Sequence, residues 1–211
     1  MSFKYIFILI IISFIISVVY LFGYRKNVKL MKEIAKALEK SLKPKDQLYT
    51  YLGGVLGFSA DYKVDGFKKI TANLRLIPRQ SALYLPFMFL TSGKDSLQIL
   101  FWLNKPAKEE FHIIKKSPLN LHKPKIFNRD KLKKETIKFN NNEFEILYEN
   151  EPYNKKLMKF IESIDLEYFN HLAITTENNI VYVNLISYGF DNKKLEKLVK
   201  TFKELSLKLF T

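Results

Sequence analysis

The sequence contains no cysteine. That excludes a disulfide framework, a thiolate nucleophile and any cysteine-ligated metal, and it agrees with a reducing compartment. Histidine is nearly as scarce. His112, His122 and His171 are the only three, and none has a second ligand at a metal spacing such as H-x-x-x-H. His112 sits in an alternating run and reads as a packed or partly exposed strand residue. No G-x-S-x-G elbow presents a serine. The glycines of "YLGGVLGF" lack the following Lys-Ser/Thr of a phosphate-cradling loop, so bulges or a turn account for Gly53, Gly54 and Gly57. Glu109 with Glu110, and Asp61 with Asp65, are close in sequence, but adjacent acids on a strand point to opposite faces. No residue set supports an enzyme, and neither a cofactor nor a metal is expected. A Gly/Ser/Pro linker is also missing, which leaves room for one anchor and one domain of about 150–170 residues.

What the chain has in abundance is apolar surface and positive charge. "YIFILIIISFIISVVYLFGY", Tyr5 to Tyr24, carries no charge and matches the roughly 20 residues that cross a hydrocarbon core as a helix. Tyr5, Tyr20 and Tyr24 stand where interfacial aromatics belong. The run exceeds the usual 7–15 apolar residues of a signal peptide and has no A-x-A-like cleavage site after it. Residues 1–24 are therefore expected to form an uncleaved transmembrane anchor. Lys4 alone precedes the span, whereas Arg25, Lys26, Lys29 and Lys32 follow it. The positive-inside bias then predicts a single-pass protein with its N-terminus outside and its C-terminal domain cytosolic.

Residues 25–45 read as a basic juxtamembrane helix or connector. Val28, Met31, Ala35, Leu38 and Leu42 make one apolar stripe, and Pro44 disfavours helical geometry at Lys43 and sets the end. The lysines on the other face suit either anionic headgroups or plain solvent. From Leu48 the signals turn strand-like, in "YTYLGGVLGFSADYKV", "GFKKITANLRLI", "SLQILFWLN" and "EEFHIIKK". The second half contains an internal echo. Two hairpins turning on Asn pairs, near 140–142 and 178–179, each precede a helix that begins "NKKL", at Asn154 and at Asn192. Asn or Asp can cap such starts, so good capping explains the match as well as duplication does. The last helix buries Leu195, Leu198, Val199, Phe202, Leu205 and Leu209. The expected fold for residues 46–211 is one α+β domain, a largely antiparallel sheet with packed helices.

The formal net charge is +14, from 35 Lys plus Arg against 21 Asp plus Glu. A lysine-rich codon bias explains that total as well as a phosphate-bearing partner does, so clustering carries more weight. "KKSPLNLHKPKIFNRDKLKKETIK", Lys115 to Lys138, has nine basic residues and two acids. Lys115, Lys116, Lys123, Lys125, Arg129, Lys131, Lys133 and Lys134 are its candidate phosphate contacts, since such side chains displace counterions without reading sequence. The alternative is an ordinary solvated loop. "LRLIPRQSALYLPFMFL", Leu74 to Leu90, ends in an apolar run half the length of a span. It reads as a short helix closing the core, or as a surface at the bilayer or against another hydrophobic helix. Arg75 and Arg79 beside it suit carboxylate or phosphate. With Leu85, Phe87, Met88 and Phe89 they are the candidate membrane or partner contacts.

A single N-terminal span, a basic connector, then "DGFKKITANLRLIPRQSALYLPFMFL", "DSLQILFWLN" and "KEEFHIIKK" together resemble the calumin family. That family is the coiled-coil-domain-containing subunit of the PAT complex. The segment "NKKLMKFIESIDLEYFNHLAIT", with the hairpin and helix after it, is similar to the second half of that family's domain. The likeness covers most of residues 1–210, and "LRxxxRQ", Leu74 to Gln80, is its most particular element. The resemblance implies a non-enzymatic, chaperone-like membrane-insertion factor beside the Sec translocon and the ribosome (rRNA). Its implied partners are nascent multipass membrane proteins and a small hydrophobic membrane subunit. It also places Arg75 and Arg79 at the family's basic strand-to-helix junction, and Lys115 and Lys116 near its later basic segment. Eukaryotic members carry an acidic luminal region and a long basic coiled coil. Neither has a counterpart before Tyr5 or after the last helix, so no calcium role carries over and ribosome contact is expected from the domain surface. The competing expectation is an anchored protein whose basic face binds an anionic lipid surface.

Overall fold

A computed structural model describes residues 3–90, 93–116, 124–139, 142–150, 158–159, 162 and 164–208, with backbone alone at 89 and 90. The chain opens with α1, one uninterrupted helix from Phe3 to Leu42. Its first half is long and apolar enough to cross a membrane and is almost entirely exposed. Its second half belongs to the core: Met31, Ile34, Ala37, Leu38 and Leu42 are buried, with Val28 and Ala35 packed at the margin. The stripe is thus centred about one residue away from the one expected from Val28 and Ala35, and it includes Gly23 and a polar residue, Asn27. The helix stops where Pro44 requires, with Lys43 at φ 50 and its N–H donating to the Glu39 carbonyl at 2.8 Å.

Nine strands follow: β1 Asp46–Tyr51, β2 Gly57–Lys63, β3 Phe67–Arg75, β4 Asp95–Leu103, β5 Phe111–Lys115, β6 Lys133–Phe139, β7 Asn142–Tyr148, β8 Phe169–Thr175 and β9 Ile180–Ser187. A short helix α2, Leu85–Leu90, lies between β3 and β4, and α3, Asn192–Lys208, closes the fold. The strands form one sheet in the order β1-β2-β3-β4-β9-β8-β5-β7-β6, and every pairing is antiparallel. The fold is α+β, as expected. Gly57, at φ 140, opens β2 where a side chain would not fit, since a Cβ there would sit 1.9 Å from the Leu74 carbonyl oxygen.

Alternation gives the sheet two different faces. On one face Phe58, Tyr62, Ile70, Leu74, Leu97, Phe101, Val183, Phe169, Leu172 and Ile113 join one continuous core with α1 and α3. Leu195, Leu198, Val199, Phe202 and Leu205 are the buried stripe of α3, and Phe202 stacks on Phe169 at 6.3 Å between ring centroids. Asp191 caps that helix, its Oδ1 accepting from the Lys194 N–H at 2.9 Å. Leu209 lies outside the described residues, as does most of the helix expected from Asn154, of which residues 158, 159 and 162 are described and helical. The opposite face carries polar cross-strand pairs over β2, β3, β4 and β9, where Ser59–Asn73, Thr71–Asp61 and Ser96–Asn184 make hydrogen bonds of 2.7, 2.6 and 3.0 Å. Over β5 and β7 the same face carries a small second core of Ile114, Leu132 and Leu147, with Ile126 against it. Residues 126–132 of the basic segment therefore fold onto the sheet.

Candidate membrane-facing site

Strand register brings Arg75, Asp95 and Ser187 to one end of the sheet. The β3–β4 connection, residues 76–94, is built there, against the turn of α1 that leaves the domain. The contact is close because Gly23 has no side chain; a Cβ would lie 2.1 Å from the Arg79 carbonyl oxygen. One turn on, the fully buried Asn27 uses its amide as a fastener. Its Nδ2 donates to the carbonyls of Val55 (3.1 Å) and Ile77 (2.9 Å), and its Oδ1 accepts from the Arg79 guanidinium at 3.1 Å. Arg79 also grips Asp95 with two parallel bonds of 2.9 and 2.7 Å and donates to the Tyr188 carbonyl at 3.0 Å. The Ile77 N–H completes the Asp95 carboxylate at 3.0 Å. Arg79 and Asp95 are both buried, so this bidentate pair locks α1, β4 and the 76–80 segment together.

That finding changes the meaning of the predicted contact residues. The Arg79 guanidinium is spent inside the protein and presents nothing to a phosphate or a partner. Arg75 is exposed. Met88 is buried, Leu85 is half-buried, and Phe87 is 64% exposed; the Phe89 side chain lies outside the described residues. Leu83 and Tyr84, which the sequence reading left out, are 80% and 47% exposed. Tyr84 is three residues from Phe87, a spacing that would place the two on one face of a helix.

This connection lies alongside the apolar half of α1. A groove of about 560 Å³ runs between them, lined by Ile16, Ser17, Tyr20 and Leu21 on the helix and by Gln80, Ser81, Ala82 and Leu83 opposite. A second, shallower one of about 360 Å³ lies just beyond, lined by Tyr24, Arg25, Val28, Lys29, Lys32 and Glu33.

The basic segment is more divided than its sequence suggests. Lys116 bonds to Glu143 at 2.7 Å, while Arg129 and Lys134 converge on the buried Glu145 at 2.6 and 2.8 Å. Burial pushes the Glu145 carboxyl up, but the hydrogen bonds from Lys134 and Arg129 outweigh it and hold the group below its usual range. Lys115 is half-buried at the α1 end of the sheet, and burial, aided by Lys94, lowers its pKa. Lys125, Lys131 and Lys133 are exposed, Lys133 lying level with Phe111 rather than Lys115. Lys123 lies outside the described residues.

Beneath this segment His112 and His171 stack at 5.7 Å, and His112 Nε2 shares a 2.9 Å hydrogen bond with Glu110. Burial keeps both rings neutral. It lowers the pKa of His112 against the pull of Glu110, and with the help of His112 it lowers that of His171 to about 3. Among the described residues no three His, Cys, Asp or Glu side chains could hold a metal ion. No known family model and no curated protein matches the sequence, so the assignment of a site rests on this geometry.

Proposed function

We propose that the chain is a single-pass membrane protein with a cytosolic domain that binds hydrophobic helices of other membrane proteins, a chaperone-like insertion factor rather than an enzyme. The groove between the apolar half of α1 and residues 80–83 carries this reading. Its apolar walls include Ser17, Gln80 and Ser81, small or polar groups that let a second helix approach closely and offer it hydrogen bonds. The clamp at Gly23, Asn27 and Arg79 holds the groove's two walls in fixed relation. The cluster of basic residues after the span supports the cytosolic orientation. The resemblance to the calumin family supplies the expected setting, with the Sec translocon, the ribosome and a small membrane subunit as neighbours.

Photocrosslinkers at Leu21 and Gln80 test the idea during synthesis of a multipass client. Adducts with the client or the translocon at both positions are the expected result; lipid adducts alone would remove the groove's role. Ribosome contact is tested by salt-dependent cosedimentation after neutralising Lys125, Lys131 and Lys133, exposed members of the basic set outside the Glu145 cluster. A second reading, headgroup binding, is favoured by the cationic basin of Arg25, Lys29 and Lys32. Ribosome-free flotation that depends on acidic lipid would select it.

A further inference from the structure

We infer that residues 81–88 are a second membrane element, seated in the same leaflet as the domain-proximal end of α1. The inference rests only on α1 crossing the bilayer and is independent of any client or ribosome. It follows from axial register. Residues 80–83 flank the groove opposite Ile16, Ser17, Tyr20 and Leu21, four to nine positions before Arg25. At 1.5 Å per residue that is about 6–14 Å to the lipid side of the first charge after the span. If these residues stayed in water, Ile16–Tyr24 would be drawn out with them. Of the charge-free run after Lys4, only Tyr5–Ile15, about 17 Å of helix, would then remain for a hydrocarbon core of about 30 Å.

The segment has the composition and hydrogen bonding that the location demands. No charged residue occurs between Arg79 and Lys94. Arg79 itself is neutralised internally by Asp95. Leu83, Tyr84 and Phe87 are exposed, 80%, 47% and 64% respectively. Five main-chain N–H groups are satisfied locally: Ser81 N–H donates to Pro78, Tyr84 and Leu85 to Ser81, Met88 to Tyr84, and Gly93 to Met88, at 2.9–3.2 Å. Non-helical backbone near lipid requires that closure. Arg75 and Lys94, both exposed, stand at the base of the element, where phosphates would meet them. Met88 points inward and ties it to the domain.

The lack of native cysteine makes the test direct. Full-length single-cysteine variants Tyr84→Cys and Phe87→Cys are labelled with an environment-sensitive fluorophore and reconstituted alone into phosphatidylcholine–phosphatidylglycerol vesicles. Ile10→Cys gives the hydrocarbon reference. Asp65→Cys, in the turn at the opposite end of the sheet, gives the water reference. Emission at positions 84 and 87 should move toward that of position 10 and be quenched more by spin labels near the headgroup than near the chain end. Emission matching position 65 while position 10 reads as buried would overturn the inference. Water-like emission at position 10 as well would mean that α1 is not in the bilayer, which removes its premise and overturns it too. A shift that appears only when a hydrophobic helix is added would assign the surface to protein instead. Phe87→Asp, at an exposed position, should retain the circular dichroism spectrum and abolish the shift at position 84.

Discussion

Asp95→Ala isolates the clamp. The substitution removes both acceptors of the Arg79 fork and the acceptor of the Ile77 N–H, at sites with little or no exposure. The remaining guanidinium keeps Asn27 and the Tyr188 carbonyl but no counter-charge. Leaving one member of a buried ion pair unpaired costs about 3–5 kcal/mol. For a domain of this size each kcal/mol lowers the midpoint by about 2–4 °C, so thermal unfolding of the full-length protein in detergent should fall by about 6–20 °C. Limited proteolysis should also open first within residues 76–94. The double variant Arg79→Met/Asp95→Leu buries no charge and should be less destabilised than Asp95→Ala alone. A drop below about 2 °C for Asp95→Ala, or a double variant worse than the single, would refute the view that a buried, mutually dependent pair holds the connection to α1.

Gly23→Ala forces a Cβ against the Arg79 backbone and should destabilise by about 1–3 kcal/mol, whereas Gly189→Ala, with nothing within 4 Å, should be near neutral in the same unfolding assay. His112 and His171 are held neutral when folded and titrate near 6.5 when unfolded. Their stabilising contribution is complete above that pH and falls as pH drops below it, by up to about 1.4 kcal/mol per pH unit for His171 alone. Denaturant titrations from neutral to acid pH should show this slope, and His171→Phe should flatten it. Neutralising Lys125, Lys131 and Lys133 should leave stability within about 0.5 kcal/mol. Replacing Arg129 and Lys134 together by Ala should lower the unfolding midpoint measurably, because Glu145 then loses both cations.

Local pattern revealed the elements and little of their partners. The charge-free run and the stripe ending at Leu42 gave α1, Pro44 gave its end, and period-2 runs gave β3 and β4 at nearly their observed lengths. Alternation does not encode which strands adjoin, so nothing in "HLAITTENNIVYVNLIS" says that this hairpin inserts between β4 and β5. Nothing in the local pattern marked Asn27, because its acceptors come from Val55 and Ile77, distant in sequence. Arg79 looked available for the same reason, its counter-charge lying sixteen positions on. The basic segment counted as a block in one dimension. Ile126 and Leu132 fold it back, and Glu143 and Glu145, spaced along β7, divide its cations.

Since α1 continues from the apolar run into the core without a break, azimuth as well as height is shared between bilayer and sheet. A residue inserted after Gly23 would turn the preceding half by about 100° against the domain, at 3.6 residues per turn, and swing Ser17 away from Gln80. A bilayer that held the apolar half would therefore be coupled to the sheet through a shaft of fixed phase, sensitive to any change in its length.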